Sequence, residues 1–201
     1  MVYDATWVGR PVVQAGLTSS WIVGGALYRG LGRIDDAYGA TSWEDALAWL
    51  CSVQPTRRID EVQYWGHGTW GRALVARDVL DGAAVDDPTH SRHADLRALR
   101  DRLTGPGALL WFRTCETFGT EAGHRFASSW VRFFGCRVAG YTYVIGPWQS
   151  GLHALAPGQA PHWSVREGLA DEVDAAPKAL MSGPGEPNTI TCLHGRIPAG
   201  F

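Results

Sequence analysis

Lysine is almost missing from this chain of 201 residues: Lys178 is the only one, and the positive charge is nearly all arginine. That bias reads as the base composition of the source genome and decides nothing about function. Net charge is small as well. A formal charge of −2 supplies no basic field for nucleic acid or an anionic membrane, so neither is expected as a partner. No apolar run reaches the length of about 18 residues that suggests a membrane-spanning helix. The opening MVYDATWVGR lacks the basic start and long apolar stretch of a secretion signal. Cysteine is sparse. Cys51, Cys115, Cys136 and Cys192 are widely spaced with no C-x-x-C pair, which argues against a disulfide scaffold or zinc ribbon and for a reducing, cytoplasmic compartment. The chain also lacks G-x-x-x-x-G-K-[ST], G-x-S-x-G and H-E-x-x-H, so nucleotide-hydrolase, serine-hydrolase and zincin readings have no support. A cysteine-dependent phosphatase would need arginine where Glu121 stands.

What is present describes a globular α/β chain. Apolar residues make up 45% and charged residues 19% of the sequence, enough for a full core. Ten tryptophans, spread from Trp7 to Trp163, read as core and pocket material. Short β-like runs cover Val2 to Val8 and Pro11 to Gln14. Ser19 to Leu31 is ambiguous: Trp21-Ile22-Val23 suggests a strand, Ala26, Leu27 and Leu31 a helix, and Gly24-Gly25 weakens both. Thr41 to Val53 is a helix, with Thr41 and Glu44 as a capping box and Trp43, Ala46, Leu47, Leu50 and Val53 on one face. Ile59 to Trp65 is a strand stopped by Gly66-His67-Gly68, and Arg72 to Ala76 is a short one. Asp81 to Thr89 is a polar loop. His90 to Leu103 is a helix with Arg92, Arg97, Arg100 and Arg102 in solvent. Ala108 to Phe112 is a strand. The helix after Cys115 carries Ala122, Phe126, Trp130 and Phe134 on one face and ends at Gly135, and Cys136 to Ile145 is another strand. Strands alternating with helices predict a mostly parallel sheet with helices on both faces, in a single domain over 1–201. Its 151–201 part is irregular and packed on the sheet, with loops, an edge strand or hairpin, and one β-like run at Thr189 to Leu193.

The chemistry gathers at two strand ends. In an open α/β sheet, ligands bind beyond the carboxyl ends of the strands. VQYWGHG (Val62 to Gly68) ends in His67, and ALLWFRTC (Ala108 to Cys115) ends in Cys115, 48 residues later. That distance holds one right-handed crossover, which would put both side chains at one sheet edge if the strands are parallel neighbours. A helix starting soon after Cys115 would favour its thiolate.

Both blocks, in this order and at this spacing, resemble the caspase-like cysteine peptidases, the group of caspases, metacaspases, gingipains and separases. The continuation CETFGTEAG (Cys115 to Gly123) looks closest to the bacterial CHAT-type domains. The resemblance covers roughly residues 60 to 150 and implies a caspase-like three-layer sandwich. It implies a Cys115 nucleophile, His67 as general acid and base, and an oxyanion held by the N–H groups of Cys115 and Gly68. It requires no cofactor, and its partner is a protein or peptide substrate, with room for a regulatory partner protein. Arg113 stands where the resemblance puts the residue lining the pocket for the P1 side chain, so by charge it would favour acidic P1. Glu116 and Trp148 are further candidates for substrate contact.

Blander readings stand beside these. A cysteine after a buried strand is more often a small core residue than a nucleophile, and Cys51, Cys136 and Cys192 are expected in the core. On the blander reading Arg113 points away and pairs with Glu116 or Asp101. His90 and His93 have i, i+3 spacing but no convincing companion ligand, so no metal site is expected. His124, His153, His162 and His194 are expected at the surface or in loops. The same fold could also serve as a catalytically inactive binding or scaffold module, or as a cysteine-dependent acyltransferase or amidase.

Overall fold

The computed structural model describes residues 1–6, 17–146, 148–170, 177–185 and 197. Pro11 to Gln14, Thr189 to Leu193, Cys192 and His194 lie outside the described residues.

The main sheet has six strands: β1 (Val2–Asp4), β2 (Tyr38–Ala40), β3 (Glu61–Trp65), β7 (Leu109–Arg113), β8 (Arg137–Tyr141) and β9 (Leu152–Leu155). Their order is β2-β1-β3-β7-β8-β9, all parallel except β9, which closes the edge antiparallel to β8. A second, antiparallel sheet of β4 (His67–Thr69), β5 (Arg72–Val75) and β6 (Asp78–Leu80) follows directly on β3. The central strands are short apolar runs because both of their faces are covered.

Strand alternation divides the apolar residues between two faces. Val62, Tyr64, Leu110, Phe112 and Val138 face one large core. That core is completed by α2 (Trp43–Ser52), α4 (His93–Arg102) and α5 (Thr120–Phe134), with the single-turn α3 (Ala83–Asp86) beside them. Leu109, Trp111, Ala139 and Tyr141 face the other way, against Leu152, Ala154 and Ile197. On that same side α1 (Leu17–Gly30) packs Tyr28 on Trp65, their rings 5.2 Å apart.

The ambiguous stretch is therefore a helix. Several local expectations also change. The cap of α2 is Ser42, whose hydroxyl accepts from the Asp45 N–H at 3.1 Å, while Asp45 accepts from the Thr41 N–H at 3.0 Å. The box is built one residue later than Thr41 and Glu44 suggested. The polar loop from 81 contains α3. Three of the four expected solvated arginines are engaged, Arg100 lying over the Phe133 ring at 5.0 Å. Arg102 donates to the carbonyls of Leu50, Gln54 and Arg57, tying α4 to the end of α2, and Arg92 pairs with Glu44 at 3.0 Å and Asp78 at 3.7 Å. Gly123, which weakened the helical pattern of α5, is there for clearance. A Cβ at that position would collide with the backbone of Phe118, against which the first turn of α5 packs. No helix among the described residues is long and apolar enough to cross a membrane.

Candidate active site

β3 and β7 are parallel neighbours in the register Trp65↔Arg113. Gly66-His67 and Thr114-Cys115 therefore leave the sheet side by side at the same edge. The last contact between the strands is the Gly66 N–H on the Arg113 carbonyl at 3.5 Å. From there the chain enters β4 at once, so His67 is the first residue of a hairpin. Gly68 presses on the turn after β7, and a Cβ there would lie 2.7 Å from both the Cys115 carbonyl oxygen and the Thr114 side chain. Glycine at 68 is thus required by the joint between the two strand ends.

The turn carrying Cys115 is held on several sides. The Thr117 hydroxyl lies against the Thr114 hydroxyl and within 3.2 Å of the Cys115 carbonyl and 3.3 Å of the Arg72 carbonyl. The Glu116 N–H donates to the Tyr143 carbonyl at 2.9 Å, the Phe118 N–H to Tyr141 at 2.9 Å, and the Gly71 N–H to Thr117 at 2.9 Å. Glu116 has φ +46°, a left-handed conformation that costs a non-glycine residue energy and persists only where neighbours enforce it. A sharp, strained turn fixed by bonds to β5 and to the end of β8 gives Cys115 little freedom to drift.

Cys115 is partly buried, its Sγ 3.9 Å from the Ile145 carbonyl. Burial pushes its thiol above the usual value, an effect opposed by the Ile145 backbone and reinforced by the charge of Glu116. The sequence expectation of a thiolate at a helix N-terminus does not describe this state: α5 begins at Thr120, beyond a turn and a Gly119 cap. Glu116 is itself raised by desolvation, with the Thr69 side chain opposing, and its Oε2 is buried without a partner. His67 is half-buried, and its ring meets Trp21 of α1 edge-on at 5.3 Å.

Arg113 has neither of the carboxylates the sequence offered. Asp101 sits by Arg100 at 3.8 Å, on another helix. The Arg113 guanidinium, on a residue only 5% exposed, lies over the rings of Trp65 at 4.0 Å, Trp111 at 4.8 Å and Tyr28 at 4.9 Å. One nitrogen donates to Gln149 Oε1 at 2.8 Å, and its Nε and Nη1 have no hydrogen-bond partner. Trp148, next to Gln149, is 46% exposed.

Sequence reasoning missed Trp21, Tyr28 and Gln149. The first two are seven residues apart, two turns of a helix and hence one face, a signal that only a helical reading of that stretch could use. It also misjudged His153, which is buried and paired with Glu167. Among the described residues no group of three or more His, Cys, Asp or Glu side chains is placed to hold a metal ion. Comparison with known proteins returns no matching family model, no matching curated protein and no matching solved structure.

Proposed function

We propose that this chain is a cysteine endopeptidase of the caspase-like kind, a three-layer sandwich acting in the cytoplasm on a protein or peptide substrate. The observation that carries the reading is the joint between two parallel strand ends, which delivers a cysteine and a histidine to one sheet edge with Gly68 packed on the Cys115 carbonyl. Because burial keeps the Cys115 proton on sulfur, catalysis starts from a neutral thiol. His67 takes that proton as Sγ attacks the scissile carbonyl carbon. The N–H groups of Cys115 and Gly68 receive the oxyanion. His67 then returns the proton to the leaving amine, and water, activated by the same imidazole, hydrolyses the thioester. No step calls for a cofactor or metal. The charge of Arg113 suits a P1 carboxylate, which would have to displace the rings that enclose its Nε and Nη1, Glu116 lies beside the nucleophile, and the exposed Trp148 suits the wall of the substrate groove.

Cys115→Ala and His67→Ala are each expected to abolish cleavage of a peptide library, by about 10³-fold or more, with melting temperature and circular dichroism unchanged. Turnover retained in Cys115→Ala ends the proposal, and a library profile with P1 Arg or Leu ends the acidic preference.

A second reading, an inactive binding or scaffold module awaiting a regulatory partner, is favoured by the partial burial of Cys115 and its raised thiol. Iodoacetamide separates the two. Alkylation of Cys115 near neutral pH that slows in His67→Ala supports a working dyad, whereas a rate indifferent to His67 supports the scaffold.

A further inference from the structure

Beyond β8 the chain runs past Cys115, and its two edges are used differently. The Tyr143 carbonyl accepts from the Glu116 N–H at 2.9 Å, and the Ile145 carbonyl lies 3.9 Å from the Cys115 Sγ. Residues 143 and 145 thus turn backbone groups toward the Cys115 turn. Val144, between them, turns its own the other way, as alternate residues of extended chain do. Its N–H donates to the Leu180 carbonyl at 3.0 Å and its carbonyl accepts from the Ser182 N–H at 2.8 Å, in a parallel bridge with Met181. Residues 178–182 are therefore laid along the far edge of the backbone that walls in Cys115. On their other side the Leu180 N–H donates to the Gly168 carbonyl at 2.7 Å, and the Lys178 carbonyl accepts from the Ala170 N–H at 2.9 Å. Hydrogen bonds supply most of this hold. Leu180 and Met181 are 44% and 64% exposed, so apolar burial adds little. A segment attached in this way opens at lower free energy than the strands of the core.

We propose that residues 178–182 are a strap that regulates access to Cys115: in place, it fixes the 143–146 backbone against the sulfur, and on peeling away it lets that backbone swing out and uncover the thiol. Tyr143 stays tied to Glu116 when the strap leaves, so the pivot lies at Val144, whose N–H and carbonyl the strap both holds. Met181 follows the same wall, its Cε 3.7 Å from where a Cβ on Gly146 would stand. Burial is the main cause of the raised Cys115 thiol, so the opening that admits a reagent also eases ionisation. The strap thereby accounts for a nucleophile that is half-hidden in the closed chain. As control of a peptidase it rests on the reading above, whereas the link from strap to thiol does not.

The test is site-resolved alkylation of the full chain with iodoacetamide near neutral pH, read by mass spectrometry, in the parent and in Ser182→Pro. Proline has no N–H, so the variant loses the bond to the Val144 carbonyl. Cys115 is expected to react about fivefold faster or more, while Cys51, partly exposed on α2, keeps the parent rate. A smaller rise at Cys115 overturns the proposal. So does a rise of the same size at Cys51, which would mean that the whole fold has loosened. Hydrogen exchange of the unaltered chain needs no variant. The Val144 and Ser182 amides are expected to exchange together, about tenfold or more faster than those of Leu110 and Phe112 in β7. A smaller difference means that the strap does not open by itself, and the proposal fails. Neither readout requires peptide cleavage, so a chain that cleaves nothing loses the peptidase reading and still decides the strap.

Discussion

His153 is 8% exposed and sets its Nε2 2.9 Å from both oxygens of Glu167, whereas Arg113, 5% exposed, has no carboxylate within ion-pair reach among the described residues. The histidine's surroundings are closed. Thr142 donates to the same carboxylate at 3.0 Å, and Trp163 stacks on the imidazole at 4.9 Å while giving its own N–H to the Phe118 carbonyl. The arginine's surroundings are three aromatic faces and one amide oxygen, with two N–H groups left over. A buried ionisable group paired with a carboxylate holds structure together. One with donors left unpaired among aromatic faces carries a desolvation cost that the paired one does not. The contrast separates two residues that look alike by burial alone.

The largest effect expected comes from breaking the closed pair. His153→Leu leaves the half-buried Glu167 carboxylate without its main partner and is expected to cost about 2–3 kcal/mol in chemical denaturation, below the range for a fully buried pair because Glu167 keeps some solvent. The double variant His153→Leu/Glu167→Leu is expected to recover most of that loss, since it leaves no half-buried carboxylate without a partner. A double variant as unstable as the single one would mean that packing on Trp163, not the ion pair, is what His153 supplies.

Arg113→Met should behave differently. It deletes a charge with one hydrogen bond and replaces a desolvated cation among three rings with an apolar chain of similar reach. Loss of cation–π attraction and relief of two orphaned donors oppose each other, so stability is expected to move by about 1 kcal/mol or less. Under the peptidase reading, acidic P1 preference is lost in the library profile while cleavage of other sequences persists. A collapse of stability by several kcal/mol would instead make Arg113 a structural residue like His153.

How much of this was legible in the sequence varies with the range of the interactions. β3 and β7 could be read because each is a short apolar run with its stop attached, Gly66-His67-Gly68 and Thr114-Cys115. Their adjacency was only allowed by the length between them, which has room for one crossover. α1 could not be read: it carries exposed Leu17, Ile22, Val23 and Leu27, so the amphipathic pattern is blurred. Its Gly24 and Gly25 sit where the helix closes on Trp65 and Met1. The position of Arg113 was legible but its environment was not, because the three rings come from α1, β3 and β7. Glu167 is 14 residues from His153 across irregular chain, which no local periodicity reports.

The smallest effect is a pH dependence that sharpens the same contrast. Despite half-burial, which pulls it the other way, Glu167 is held below the ordinary carboxylate value of 4.5, chiefly by the His153 hydrogen bond and charge, with Thr142 adding to it. A carboxyl with a depressed folded pKa contributes stability that is present above its unfolded value and is lost as pH falls through the folded one. In His153→Leu the largest lowering influence is gone, burial dominates, and the carboxyl rises; its contribution then turns unfavourable as pH climbs through the acid range. The gap in stability between the parent and His153→Leu should therefore be widest near neutrality and narrow steadily as pH drops below about 4. Arginine side chains do not titrate in this range, so the difference between the parent and Arg113→Met should stay flat over it. Urea midpoints for both variants from pH 3 to pH 7 would check this, and a gap that stays constant for His153→Leu would remove the ion pair from the account of that site.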